Sequence, residues 1–193
     1  VNAELTFRDL RIRLLLLDAA FRGERPVEPI LADLRRIEGD GPLWHYGEAL
    51  RLRASAKDGD SPALSQAQTH VAAARVARPG WSRLPLLSAE IARLQGNKDR
   101  ATEAYLEAIS LGERRSEVIG RAVSLLFEQK RFVEADQVVR RMQEQQTAFT
   151  DDLTRLAAET SLRLEDFDRA LDLAESVATD SAQYQDHVWI GQV

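Results

Sequence analysis

The stretch GNKDRATEAYLEA, residues 96–108, decides how this sequence folds because similar patterns recur before and after it. Its pattern returns in KRFVEADQVVRRM at 130–142 and in EDFDRALDLAESV at 165–177, each with an alanine at the sixth position. An earlier alanine at the same register extends the series backwards. Intervals of 34, 34 and 35 residues separate Ala67, Ala101, Ala135 and Ala170. A fixed period near 34 residues is typical of stacked helical hairpins.

Hydrophobic periodicity predicts that the chain is entirely helical. Apolar residues recur at three- and four-residue spacing, and hardly any stretch alternates every second residue. Glycine- and proline-containing breaks separate these stretches. We predict helices at 6–22, 26–38, 42–57, 62–77, 82–95, 98–111, 116–129, 132–147, 151–163, 166–178 and 183–193. The recurring alanine then marks where the second helix of a hairpin approaches the first, because a larger side chain would hold the backbones apart.

The repeated pattern resembles the tetratricopeptide repeat family, a 34-residue helix-turn-helix unit with small and aromatic residues at set positions. The second-helix half of the family pattern matches at Ala101, Tyr105 and Ala108, and again at Ala67, Ala74 and Pro79. The first-helix half is matched more sparsely, for example at Trp44 and Gly47. This resemblance implies a right-handed solenoid of stacked antiparallel helical hairpins, about five in number, of which the last is truncated.

We expect residues 1–193 to form a single repeat domain. Its predicted parts are a degenerate hairpin at 6–38, repeats at 42–79, 82–113, 116–149 and 151–180, and the first helix of a further repeat at 183–193. A solenoid needs a polar terminal cap, and the sequence instead ends with Trp189, Ile190 and Val193. We therefore expect the chain to be a fragment of a longer polypeptide.

The composition removes several classes of chemistry. The 193 residues contain no cysteine, which excludes disulfides, thiolate metal sites and cysteine nucleophiles. A net charge of −5 disfavours binding along a phosphate backbone. The most apolar run, at 14–17, is far shorter than the roughly 20 residues of a spanning helix, so we expect no direct membrane insertion.

No motif for catalysis, a cofactor or a metal is present. The sequence lacks a nucleophile elbow, a phosphate-binding loop and a dinucleotide-binding glycine pattern. His45, His70 and His187 fall far apart in three predicted helices, without metal-ligand spacing, so we expect each to have a structural or surface role rather than to ligate a metal. We predict no catalytic residues, no cofactor and no metal site.

The family resemblance implies that a partner protein or peptide binds in the concave groove lined by the first helix of each hairpin. Projection of the repeat register also points His45 towards this groove. The candidate binding residues are Arg53, Arg83, Glu90, Arg93, Phe127, Glu128, Arg155, Glu159 and Arg163. Mixed charges would set the register of a bound segment and apolar anchors would supply affinity. Taken one by one, such charges also suit an ordinary solvated helix face.

Three alternatives remain open from the sequence. The chain could be the regulatory or substrate-recruiting repeat region of a larger enzyme. A helical-repeat RNA binder has a similar period, although the net charge argues against it. A homodimer through uncapped ends is the third, because Trp189, Ile190 and Val193 would present apolar surface.

Overall fold

A computed structural model of the chain describes residues 14, 17 and 18 and the continuous stretch 26–179. Every regular element in that part is an α-helix, which confirms the all-helical prediction. The helices are α1 (Glu28–Glu38), α2 (Pro42–Ser55), α3 (Pro62–Ala77), α4 (Arg83–Leu94), α5 (Lys98–Ser110), α6 (Ser116–Glu128), α7 (Phe132–Glu144), α8 (Asp151–Arg163) and α9 (Phe167–Thr179).

The predicted helices agree with these bounds to within three residues. The largest difference is at α7, which ends at Glu144 rather than at 147 because Gln146 takes a left-handed backbone conformation with φ of 55°. Leu14, Leu17 and Asp18 are helical, as predicted for 6–22. The rest of that helix, the helix at 183–193 and the apolar end at Trp189 lie outside the described residues.

The chain divides into two compact units, Val1–Leu111 and Gly112–Val193. In the first unit, α2 pairs with α3 and α4 pairs with α5, and α2 also packs against α4. In the second unit, α6 pairs with α7 and α8 pairs with α9, and α6 also packs against α8. Within each unit, the first helix of one hairpin therefore lies beside the first helix of the next. A single domain over 1–193 stays a prediction.

The four register alanines sit where the hairpin prediction requires small side chains. Ala67, Ala101, Ala135 and Ala170 each have a solvent exposure of 0% and lie on the second helices α3, α5, α7 and α9. The residue one turn later is also buried in every copy, and these residues are Val71, Tyr105, Val139 and Ala174. Positions that correspond in the sequence repeat therefore also share a buried environment in the structure.

Three hairpins turn by the same backbone device. Gly96, Lys130 and Glu165 each take a positive φ, of 71°, 60° and 61° respectively. In each turn the amide of the next residue donates a hydrogen bond to a carbonyl five residues back. These bonds run from Asn97 to Ala92 (2.9 Å), from Arg131 to Leu126 (2.9 Å) and from Asp166 to Ser161 (3.0 Å). This left-handed cap satisfies the last carbonyls of the first helix.

Replacement of a register alanine should test the packing argument. We expect Ala67→Leu to lower the free energy of unfolding by about 1–3 kcal/mol, because the added atoms must enter a filled interior. Ala72 lies on the same helix but is exposed, so Ala72→Leu should change stability by less than about 0.5 kcal/mol. Urea denaturation followed by circular dichroism measures both, and equal losses would contradict close packing at Ala67.

The left-handed turns predict a stabilising substitution. Lys130 and Glu165 are exposed and adopt a conformation that costs a side-chain-bearing residue about 1–2 kcal/mol, whereas glycine adopts it freely. We expect Lys130→Gly to raise the free energy of unfolding by about 0.5–1 kcal/mol after glycine's larger entropy loss. In the matched control, Gly96→Ala should lower it, although nothing lies within 4 Å of the added Cβ. Thermal denaturation measures both variants, and shifts of the reverse sign would count against this account.

Candidate protein-binding face

The candidate residues lie on the first helices of the hairpins, and the structure brings some of them together within each unit. In the first unit, Arg53 of α2 forms an ion pair with Glu90 of α4. Their side chains retain only 28% and 21% of their exposure. This pair bridges two neighbouring first helices and places opposite charges side by side.

Arg83, at the start of α4, is already engaged inside the first unit. Its Nη1 donates to both carboxylate oxygens of Asp18 at 2.8 Å. The nearby Tyr46 phenol is buried, and this burial raises its pKa. The Tyr46 ring also contacts the Trp81 ring, with 4.8 Å between the ring centres. Arg83 therefore anchors the first residues of α4 onto the unit's core. Arg93, in the last turn of α4, is exposed.

In the second unit, Phe127 of α6 and Arg163 of α8 meet. The Arg163 guanidinium carbon lies 6.0 Å from the centre of the Phe127 ring, within the range of a cation–π contact. The Phe127 ring also contacts the Phe132 ring, whose centre lies 5.1 Å from that of Phe127 in an edge-on arrangement. Phe127 is half-buried while Arg163 is exposed, so the pair offers an apolar surface beside a cation.

The remaining candidates of the second unit carry charge. Glu128 on α6 and Glu159 on α8 are exposed. Arg155 is half-buried and its Nη1 lies 3.7 Å from an oxygen of Asp152, one turn earlier on α8. Acidic and basic groups are thus interspersed along the helices that carry Phe127 and Arg163.

Two contacts near the helix starts position α6 and α8. The buried Glu113 carboxylate, 9% exposed, accepts hydrogen bonds from the Arg114 and Arg115 amides at 3.0 Å and from the Arg115 guanidinium at 2.7 and 3.0 Å. Arg115 occupies the N-cap position of α6. The Thr150 amide donates to the Ser116 hydroxyl at 3.1 Å, which ties the start of α8 to the start of α6.

One contact in the first unit was not predicted from the sequence. His45 and His70 face each other across α2 and α3 with 2.8 Å between their Nδ1 atoms. His45 therefore contacts a second helix rather than serving the groove alone. The signal was available in the sequence, since the two residues are nearly equidistant from the turn between α2 and α3. An antiparallel hairpin brings such positions together.

The described part of the chain shows neither a metal centre nor a membrane span. No group of three or more histidine, aspartate or glutamate side chains among residues 14, 17, 18 and 26–179 is placed to hold a metal ion. None of the helices described is both long and apolar enough to cross a bilayer. The arrangement of charges and half-buried aromatic rings on the first helices is suited to non-covalent binding.

The Glu113 contact predicts an acid-dependent loss of stability. Hydrogen bonds from Arg115 hold the pKa of Glu113 below its ordinary value of 4.5, although burial opposes the shift. A lowered folded-state pKa gives stability that is present above pH 4.5 and is lost as the pH falls through the folded value. We expect Glu113→Gln to lower the free energy of unfolding by about 1–2 kcal/mol at pH 7, and by progressively less as the pH is lowered from 4.5 to 3.

Glu134 provides the matched control for this substitution. Its pKa is also lowered by an arginine, Arg131, but its side chain is 47% exposed, so solvent screens the contact. Glu134→Gln should therefore leave urea denaturation curves nearly unchanged at both pH values. If Glu113→Gln lost the same amount of stability at both pH values, the shape of the side chain rather than its charge would be what stabilises the loop.

Comparison with known proteins identifies the fold. No protein-family model and no curated protein sequence matches the chain. The structure of yeast Tom70 superposes with a TM-score of 0.59 and 16% identity over 99% of this chain. PilF of Pseudomonas aeruginosa superposes with a TM-score of 0.52 and 13% identity over 97% of this chain and 99% of its own. The chain spans 39% of the length of the Tom70 chain. Both neighbours are tetratricopeptide-repeat proteins.

Proposed function

We propose that this chain, whose fold is that of tetratricopeptide-repeat proteins, is a non-catalytic scaffold that binds a partner protein or peptide through its first helices. The observation that carries the proposal is the side-by-side packing of first helices, α2 with α4 and α6 with α8. This packing joins side chains that are far apart in sequence, namely Arg53 with Glu90 and Phe127 with Arg163. A surface built from successive hairpins is the binding element of helical-repeat proteins.

The second unit supplies the best-defined contact surface. Phe127 offers an aromatic face that is not fully buried, and the Arg163 cation lies against it. A partner segment would cover the Phe127 ring with an aromatic or aliphatic side chain, and this would also remove water from the Arg163 cation. A carboxylate next to that side chain in the partner would then pair with the cation. Exposed Glu159 on the same helix as Arg163 favours a basic residue nearby. The preferred partner segment therefore combines one apolar anchor with charges of both signs.

Rigidity of the helices favours such binding. The first helices are held by buried residues on their inner sides, for example Val123 and Leu126 of α6 and Ala157 and Ala158 of α8. A face that is already ordered loses little conformational entropy when a partner docks. The hairpin core thus contributes to affinity without touching the partner.

Selection of binding peptides tests the proposal. Peptides of about 12 residues, long enough to span neighbouring helices, would be selected by phage display against the chain, and the affinity of the best one measured by fluorescence anisotropy. We expect Phe127→Ala combined with Arg163→Glu to weaken binding by about 10- to 100-fold, since loss of a binding anchor typically costs about 1–3 kcal/mol. Circular dichroism would verify that the variant remains folded.

The second helix α7 offers a matched control for the charge reversals. Arg141 and Glu144 are exposed on α7. Arg141→Glu there is the control for Arg163→Glu, and Glu144→Arg is the control for a second test variant, Glu159→Arg, which should also weaken binding of the peptide. We expect these control variants to bind the peptide as the wild type does. Binding that depended on Arg141 and Glu144 while tolerating changes at Phe127, Glu159 and Arg163 would refute the proposed face.

A further inference from the structure

The histidine pair between α2 and α3 has a geometry that limits how many protons it can hold. The Nδ1 atom of His45 lies 2.8 Å from the Nδ1 atom of His70, which is the distance of a hydrogen bond. One nitrogen must therefore carry the hydrogen and the other must present its lone pair. A histidine cation carries hydrogen on both ring nitrogens and accepts nothing.

Three protonation states follow from this geometry. Two neutral rings keep the contact when one is protonated at Nδ1 and the other at Nε2. One cation and one neutral ring also keep it, with the cation donating through its Nδ1. Two cations break it, because both Nδ1 atoms then carry hydrogen and the positive rings repel each other. The contact therefore accommodates at most one imidazolium cation.

Some features around the histidine pair disfavour positive charge on it, and others favour positive charge. Burial lowers the pKa of His45, and His70 lowers it further, while Asp40 and Glu38 raise it. The Trp44 ring centre lies 4.9 Å from that of His45 and 5.5 Å from that of His70, which shields one side of the pair. The charged groups around the pair are Arg35 and Glu38 of α1, Asp40 in the following turn, Glu48 and Arg51 of α2, and Arg78 after α3.

The carboxylates among these neighbours are already engaged with other groups. The Glu48 carboxylate accepts hydrogen bonds from Arg51 at 3.0 and 3.1 Å. Among the neighbouring cations, the Arg35 guanidinium carbon lies 4.6 Å from the centre of the Trp44 ring. Glu38 accepts from the Trp44 amide, and burial raises the pKa of its carboxyl group, so acid also removes this negative charge. The second proton on the pair is therefore added beside several cations.

We propose that His45 and His70 form a proton-operated latch between α2 and α3, which is closed while at least one imidazole is neutral and opens when both are cations. In the closed state the pair ties the first turn of α2 to the middle of α3. In the open state the two like charges push the helices apart.

The sign of the pH effect follows from the lowered pKa of His45. A histidine whose pKa is lower in the folded than in the unfolded chain takes up more protons on unfolding. The latch contribution to stability is therefore complete above the ordinary imidazole value of 6.5 and is lost as the pH falls below it. Mildly acidic conditions, below that value, should therefore loosen this hairpin.

Nuclear magnetic resonance of the wild-type chain tests the latch directly. The ring protons and nitrogens of His45 and His70 would be followed from pH 8 to pH 4, with the His187→Gln variant used to assign them. We expect two coupled steps, the second below the ordinary imidazole value of 6.5, and one Nδ1-protonated and one Nε2-protonated ring at pH 8. Two independent titrations near that ordinary value would overturn the proposal.

Unfolding measurements provide the second test. Urea denaturation at pH 7.5 and pH 5.0 would be compared for the wild type, His45→Gln and His70→Gln. Because like charges in contact repel strongly, the unfolding constant of the wild type should rise about tenfold more than that of either variant between these pH values. The His187→Gln variant should retain the wild-type behaviour, which separates the pair from the third histidine of the chain. Equal pH dependence in the wild type and both histidine variants would contradict the latch.

Discussion

The architecture depends on close helix packing at four positions that carry alanine. Ala67, Ala101, Ala135 and Ala170 are completely buried on the second helices of four hairpins. Close approach at these points lets the larger residues one turn later, such as Tyr105, enter the same core. Because side chains in such interiors are packed at nearly crystalline density, helix spacing is set by the smallest residue at the crossing. The first helices, and every residue they carry, take their positions from this spacing.

The turns explain why the hairpins are alike although their sequences are not. Glycine adopts the left-handed conformation in one turn, and a lysine and a glutamate adopt it in two others. The equivalent carbonyl is satisfied in each case, so the hydrogen-bonding requirement of the helix end outweighs the steric cost of a side chain. A search for glycine at helix ends would find this turn only at Gly96 and would miss it at Lys130 and Glu165. The register of the alanines locates the turn in all three copies.

Local patterns predicted the helices well and the paired side chains poorly. Helix bounds follow from apolar spacing and from breaks such as Pro62, which the structure places at the start of α3. The contact of His45 with His70 depends on which positions an antiparallel hairpin brings face to face, and periodicity along one helix does not contain that information. Glu113 was missed for a similar reason. Its four hydrogen bonds come from a loop conformation, not from a motif with fixed spacing.

The candidate face shows why residue type alone gives an incomplete description of a binding surface. Arg53, Arg83 and Arg163 share one chemistry, yet Arg53 pairs with Glu90, Arg83 with Asp18, and Arg163 lies on an aromatic ring. A partner that approached Arg83 would have to compete with the Asp18 carboxylate, both oxygens of which already accept from this arginine. A partner that approached Arg163 would instead add a carboxylate to an exposed cation beside the Phe127 ring. Recognition should therefore concentrate where the fold has ordered a charge on an aromatic ring rather than on a carboxylate.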